Sequence, residues 1–459
     1  MVIVYALSAA YVLYCLATNP AGPITTPDSI RYLEVWANYP LGYPLFLKIF
    51  GARGAIIAQP VIFGAALALL GRELVRRTRS TLIAAMAIVA VVALPQVREF
   101  HASILSESLF LSLGLFFLAL ALRFTYLPTW HLMVPIAAIA GASATIRRTG
   151  FALLPLMLIM VLLERHRLKA SQTAFFFVAA VAPFFVVYGV EMVAAPIVHH
   201  GHASSLSGRH LFAKAALIDA PGAPADAADL RAQLNHHLEE DYAPIRAFLV
   251  SAPPDIRAVL SIYYETCLQG GCVDRSRALM PDLDEAGQTR ALGSVALARI
   301  ARAPGAFVGL WARNYLSLWA VDRLHHPDRA ERLTAFIAAH RPMPFERLAF
   351  SLEPGQPFAF DPIPRVRYLQ WAVTALAIWT AVLALAGIVA IFRPHRFPPL
   401  LVFASVSALM AHGGLLLTSL LAAGFSRFTL GLWPAIVVAA VCGLWAVMTR
   451  PSPPPATPR

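Results

Sequence analysis

Charge is scarce in this 459-residue chain: Asp, Glu, Lys and Arg make up 14% of it, against 58% hydrophobic residues and a mean hydropathy of +0.65. That excludes an ordinary soluble domain, whose charged share is about 25%. Acidic residues are scarcer still outside one segment. Residues 199–367 carry 18 basic and 18 acidic side chains, leaving 19 basic but only seven acidic ones for the rest of the chain. No Gly-rich phosphate loop is present, so nothing marks a soluble nucleotide site. No internal repeat is evident, against the repeat-built plan of many transporters. Cysteine is limited to four residues. Cys15 and Cys442 lie in apolar runs, while Cys267 and Cys272 lie close together in 199–367, where a disulfide and two free thiols are both open.

What the chain has instead is apolar runs near 1–18, 55–71, 81–97, 103–123, 132–146, 151–163, 172–197, 368–392, 398–423 and 429–448. Each approaches the roughly 20 residues a spanning helix needs. The expectation is an all-α polytopic membrane protein with about ten transmembrane helices. The first run lacks the basic leader of a signal peptide and reads as the first span. The basic excess sits in alternate short loops and tails: Arg72 to Arg79, Arg123, Arg165 to Lys169, Arg393, Arg396 and Arg450. This pattern holds those loops in the cytoplasm, so the +12 net charge reports topology and not a nucleic-acid partner. Reading 132–163 as one helix would invert the later loops, so two short helices joined by an outward Arg147-Arg148-Thr149-Gly150 turn are expected. The division that follows is a transmembrane module at 1–198, a mainly helical outward domain at 199–367, C-terminal helices at 368–450 and a disordered cytoplasmic tail at 451–459. Helical stretches are expected at 288–303 and 306–320, the latter carrying Trp311, Tyr315 and Trp319 at four-residue spacing, for the membrane interface or for a core.

The stretch most informative about chemistry is Thr25 to Trp36, directly after the first run. Thr26 suits a helix cap and Pro27 a first helical position. At about 100° per residue, Asp28, Arg31, Tyr32 and Val35 share one face and Ile30, Leu33 and Ala37 the other. A helix along the outer membrane surface would thus hold a carboxylate and a guanidinium at headgroup level. A capping Asp beside an Arg is the structural alternative. Glu107 is the second notable acid, since an ionisable group at the bilayer edge usually faces a cavity, although a helix N-terminus also stabilises one. The apolar run 109–122 covers only about 21 Å at 1.5 Å per residue, so this helix is expected to begin before Glu107. Arg147, Arg148 and Arg427 are outward guanidinium groups suited to a phosphate or, equally, to anchoring on lipid headgroups. Glu191 closes the seventh run at its outer end.

The order of an apolar helix, Asp28-x-x-Arg31-Tyr32, Gly42-Tyr43-Pro44-Leu45, Ser106-Glu107-Ser108-Leu109-Phe110 and Arg147-Arg148-Thr149-Gly150 resembles the GT-C superfamily of membrane glycosyltransferases. More narrowly it is similar to bacterial relatives of protein O-mannosyltransferases and lipid A aminoarabinose transferases. The resemblance covers about residues 1–165, is topological for 366–448 and is absent from the outward domain. It implies inverting transfer from a polyprenyl-phosphate sugar to a lipid, glycan or protein acceptor, in a bacterial inner membrane with the site facing outward. Asp28 maps onto the family's catalytic base, and Arg31 and Tyr32 onto the positions that follow it. Where the aminoarabinose branch has Glu-Lys before its proline, this chain has Gly42-Tyr43, so the phosphate contact must come from elsewhere; Arg427 with Arg147 is expected to supply it. Two other classes stay open: a transporter or flippase of lipid-linked sugars, which would share the outward arginines and intramembrane acids but whose usual broken helices are not evident in the sequence, and a polysaccharide ligase or polymerase dependent on a loop histidine.

The histidines at 199, 200, 202, 210, 236, 237, 325 and 326 all fall in the outward segment. Adjacent pairs suit one zinc site poorly, so no metal or other cofactor is expected. Arg209 and Lys214 read as solvated surface or as headgroup contacts.

Overall fold

The computed structural model describes residues 1–25, 27–36, 39–198, 207–218, 220, 230, 232–236, 238–239, 267, 272–319, 364–393, 397–421 and 427–449. The expected disordered tail, most of the outward histidines and the side chain of Arg427 lie outside the described residues. The helices are α1 (Val2–Thr18), α2 (Pro27–Leu33), α3 (Gly42–Thr78), α4 (Thr81–Val92), α5 (Pro95–Ala102), α6 (Glu107–Tyr126), α7 (Trp130–Ile146), α8 (Leu153–Glu164), α9 (Ala170–Val198), α10 (Ser207–Ala216), α11 (Cys272–Ala278), α12 (Glu285–Arg302), α13 (Pro304–Ser317), α14 (Pro364–Phe392), α15 (Pro399–Leu421), α16 (Arg427–Gly431) and α17 (Trp433–Met448). Among the described residues the extended backbone pairs only once, in an isolated parallel bridge between Ile24 and Ser103.

Six described helices are long and apolar enough to cross a membrane, or up to eight if each of two bent pairs forms one span. The expected ten is not reached. The shorter apolar helices α1, α7 and α17 have 17, 17 and 16 residues, about 25 Å at 1.5 Å per residue, against a hydrocarbon core of about 30 Å. The run read as one span at 81–97 is broken, with α4 and α5 meeting at 65° where Pro95 opens a new helix. A second bent pair, α12 and α13 at 105°, lies in the segment read as outward. The two short helices expected around Arg147 are observed as α7 and α8, separated by a 3-10 turn over Arg148–Ala152.

The chain divides into two compact units. The first comprises Met1–His202, Ala375–Gly414 and Leu430–Arg459. Its α1–α3 seam is built on glycine. A methyl at Gly64 would stand 2.2 Å from Val12 Cγ2 and one at Gly71 2.4 Å from Val4 Cγ1, so only hydrogen lets these backbones approach. Pro60, inside α3, has no N–H for the carbonyl of Ile56, four residues back. Asn19, at the end of α1, donates its side-chain N–H to that carbonyl at 3.0 Å. One turn on, buried Gln59 leaves the helix face to donate to the carbonyls of His101 and Ser103 at 3.0 and 3.2 Å.

The second unit comprises Ala203–Thr374 and Leu415–Thr429. α10 packs on α12 around Phe212, Leu234, Leu292 and Val295, beside the bonded Cys267–Cys272 pair. Its polar centre is Arg299, wholly buried, which donates to the carbonyls of Ala215 and Ile218 and pairs with Glu239 at 2.6 Å. A buried guanidinium is tolerable only with its donors used in this way. α12 and α13 match the two helical stretches expected here. Trp311 donates its indole N–H to Ser419 Oγ at 2.9 Å, and of the aromatic stripe only Trp319 is buried.

Candidate functional site

The site grows from α2, a seven-residue helix opened by Pro27. It ends at Leu33, short of Val35, whose φ of 54° removes it from the expected face. Too short to hold its own shape, α2 is fastened to the stretch before α6. Ile24 exchanges backbone hydrogen bonds with Ala102 and Ile104 at 2.9 and 3.0 Å. Ser29 Oγ donates to the Ile104 carbonyl at 2.9 Å, and the Tyr32 hydroxyl meets Ser106 Oγ at 2.8 Å. α6 therefore begins at Glu107 and not before it; the length missing from its apolar run is supplied at the other end, by Arg123 to Tyr126. Glu107 stands in the first turn, where the helix dipole favours a carboxylate.

Asp28, Arg31 and Tyr39 form a triangle. The Tyr39 hydroxyl donates to Asp28 Oδ1 at 3.2 Å and accepts from Arg31 Nη1 at 2.7 Å, while the direct Asp28–Arg31 approach is 3.5 Å. The Arg31 guanidinium stands 5.4 and 5.7 Å from the Trp36 and Tyr39 ring centres. Burial and then the neighbouring Asp28 carboxylate push the Tyr39 phenol up, and burial and then Glu107 do the same to Tyr32. Both stay protonated donors near neutrality.

Glu107 and Arg147 form an ion pair at 2.6 Å, with side chains 3% and 16% exposed. Arg147 was expected to meet a phosphate; here its charge is already countered. The Arg147–Gly150 turn that carries it is held against α7, since a methyl at Gly150 would stand 2.4 Å from Ala144 N. Arg148 pairs with Glu191 at 3.0 Å and lies over Tyr188. Glu191 also accepts from the N–H of Leu41 at 3.2 Å, tying α9 to the end of the Asp28 loop. Tyr43 has 0% exposure and donates to Gln59 Oε1 at 3.1 Å, and Tyr32 is 6% exposed, so both expected substrate contacts are packed inside. Asp28 is different: its side chain is 20% exposed, against 3% for Glu107 and 4% for Glu191. Of these three acids it is the most exposed.

Sequence reading passed over Tyr39, Gln59, Ser106 and Arg98. A Tyr among three in 32–43 carries no signal of its own, and a lone Gln before a proline little more. Arg98, in α5, makes no hydrogen bond or ion pair among the described residues, and its charge acts on Tyr11 and Cys15 of α1. Among the described residues no group of three His, Cys, Asp or Glu side chains is placed to hold a metal ion.

Together these features define an all-helical, multi-pass membrane protein with a partly open carboxylate held among arginine and tyrosine at one end of its first unit. No protein-family model matches the chain, and no curated protein sequence matches it. Among solved structures, it is similar to a crystal structure of ArnT from Cupriavidus metallidurans bound to undecaprenyl phosphate. That likeness covers 97% of this chain and 77% of that one at 15% identity, with a TM-score of 0.32. So distant a likeness carries no argument about this chain's site.

Proposed function

We propose that the protein is an inverting glycosyltransferase of the GT-C type, moving a sugar from a polyprenyl-phosphate donor to an acceptor at the outer face of a bacterial inner membrane. The observation that carries this reading is the exposure of Asp28 beside two acids that are sealed in arginine pairs. The ordered motifs of the first 165 residues, with their GT-C resemblance, supply the reaction class.

As the acceptor hydroxyl attacks the anomeric carbon, its proton passes to Asp28 and the new C–O bond forms. The bond from that carbon to the phosphate oxygen breaks, and polyprenyl phosphate leaves with the electron pair. Tyr39 and Arg31 hold the Asp28 carboxylate in place between attempts. The developing phosphate charge needs a cation and not an acid. Arg98, which has no protein partner among the described residues, joins Arg427, Arg147 and Arg148 as a candidate. Glu107 positions Arg147, and Glu191 positions Arg148 and the loop.

Purified protein in nanodiscs, given a panel of polyprenyl-phosphate sugars and acceptors, tests this. General-base catalysis is worth about 10²–10⁴-fold, so Asp28→Asn is expected to lose about that much turnover while donor binding persists. Undiminished turnover in Asp28→Asn removes the base assignment. Movement of intact donor lipid between leaflets, without sugar transfer, would replace this reading with a flippase.

A further inference from the structure

Glu73, one of the seven acids outside 199–367, takes no part in the sugar-transfer step. It lies at the far end of α3, among Arg72, Arg76 and Arg77. Its Oε1 stands 3.2 Å from Arg72 and 3.8 Å from Arg76, whereas Arg77 Nε stays 4.0 Å from Oε2 and has no hydrogen-bond partner. One carboxylate thus faces three guanidinium groups, and the least engaged of them is Arg77.

Arg77 lines a cavity of about 240 Å³ with Thr78, Tyr126, Leu400, Trp445 and Thr449, all in the first unit. Tyr126 closes α6, whose other end is Glu107; at 1.5 Å per residue, its 20 residues place the cavity about 30 Å from that acid. This is one hydrocarbon thickness from the Asp28 end, at the depth where aromatic and basic side chains meet lipid headgroups. The Arg77 guanidinium lies 5.0 Å from the Tyr126 ring centre. Its side chain is only 20% exposed, yet among the described residues none of its N–H groups donates a hydrogen bond, nor does the indole N–H of Trp445. A stacked, planar, mostly desolvated cation with unused donors matches two phosphate oxygens in charge and geometry. Apolar Leu400 and Ala446 border it, as they would the first carbons of an ester. Basic pockets between helices at a cytoplasmic boundary bind lipid phosphates by this chemistry.

We infer that this cavity is a second site, binding a phosphate group at the boundary opposite Asp28. Arg77 is the bidentate donor and Trp445 supplies a further N–H; the phosphate comes from an anionic membrane lipid or from free phosphate. The site stands whether or not the protein transfers sugars.

The test uses the full chain, delipidated in a neutral detergent. Native mass spectrometry counts retention of phosphatidic acid against diacylglycerol with the same acyl chains, and melting temperature is followed with inorganic phosphate and pyrophosphate. Retention of one phosphatidic acid with none of diacylglycerol, at least tenfold weaker in Arg77→Gln, establishes a lipid phosphate. A melting shift with the free phosphates, lost in Arg77→Gln and without lipid retention, establishes the soluble source. Trp445→Phe keeps the ring and removes one donor, so it should weaken binding several-fold and serves if Arg77→Gln folds poorly. Equal retention of both lipids with no phosphate shift in the wild-type chain overturns the inference, as does binding that neither variant weakens.

Discussion

Tyr39 stands between Asp28 and Arg31. Its hydroxyl donates a hydrogen bond to the carboxylate and accepts one from Arg31. Tyr39→Phe removes both, and turnover should fall about tenfold for the lost hydrogen bond to Asp28. Unchanged turnover would show that Tyr39 only packs. Glu107 is a different case, because it is itself nearly sealed from water, at 3% exposure, against Arg147. Glu107→Gln removes the carboxylate charge facing Arg147, with an expected cost of about 3–5 kcal/mol, read as a large fall in melting temperature; Glu107→Gln with Arg147→Met should recover most of it. The sequence made Asp28, Arg31, Glu107 and Arg147 visible because ionisable groups beside apolar runs are few. It left Tyr39 and Gln59 invisible, since their roles depend on partners that only the folded chain brings within 3.2 Å.

At the scale of the helix, proline and glycine decide most of the local structure, and each leaves something for a neighbour to repair. Asn19 is the repair for Pro60. Asn19→Ala should lower stability by about 1–2 kcal/mol through the orphaned Ile56 carbonyl, and by much less in a Pro60→Ala background, where the backbone supplies its own donor. A double-mutant cycle in thermal unfolding measures the coupling; additive effects would deny it. Gly150→Ala forces the turn away from α7, with an expected loss of about 1–3 kcal/mol and a drop in activity through displaced Arg147. Helix centres were legible from long apolar runs, and so was the break at Arg147. The ends were less so. Residues 103–106 continue the apolar run in sequence, but stay outside the helices because the backbone groups of Ser103 and Ile104 pair with Gln59 and Ile24. Pro95 turned one expected span into a bent pair because its fixed φ and missing N–H outweighed the hydropathy on both sides.

Across the whole molecule, charge is distributed in two ways. In the first unit five of the seven acids, Asp28, Glu73, Glu107, Glu164 and Glu191, lie within 4.0 Å of an arginine, whereas the second unit also buries a lysine. Lys214 is 1% exposed, donates to the Ser419 carbonyl, and is lowered by burial from 10.5 to about 7. His210 beside it is lowered to about 4, first by burial and then by the charge of Lys214. The sign follows from the protons bound. Between about pH 7 and 10.5 the unfolded chain holds the Lys214 proton and the folded chain sheds it, so stability rises with pH across that window. Unfolding of the second unit should therefore become harder from pH 7 to 10, and Lys214→Met should flatten the rise; an identical slope in the variant would exclude this lysine as its source. Balanced charge in 199–367 was readable from composition, but not which cation lies inside, because no pattern in the sequence distinguishes a buried Lys from a solvated one.

The docking of α2 also sets a timetable for synthesis. Ser29 and its partner Ile104 are 75 residues apart. At about 5–20 residues per second, α2 leaves the ribosome roughly 4–15 s before the stretch that fastens it. During that interval Asp28 sits on a helix too short to persist alone. The carboxylate therefore waits for the stretch before α6 to be made before its helix is held in place. Nascent chains arrested before residue 103 should leave the 25–41 loop open to protease, and chains extended past α6 should close it.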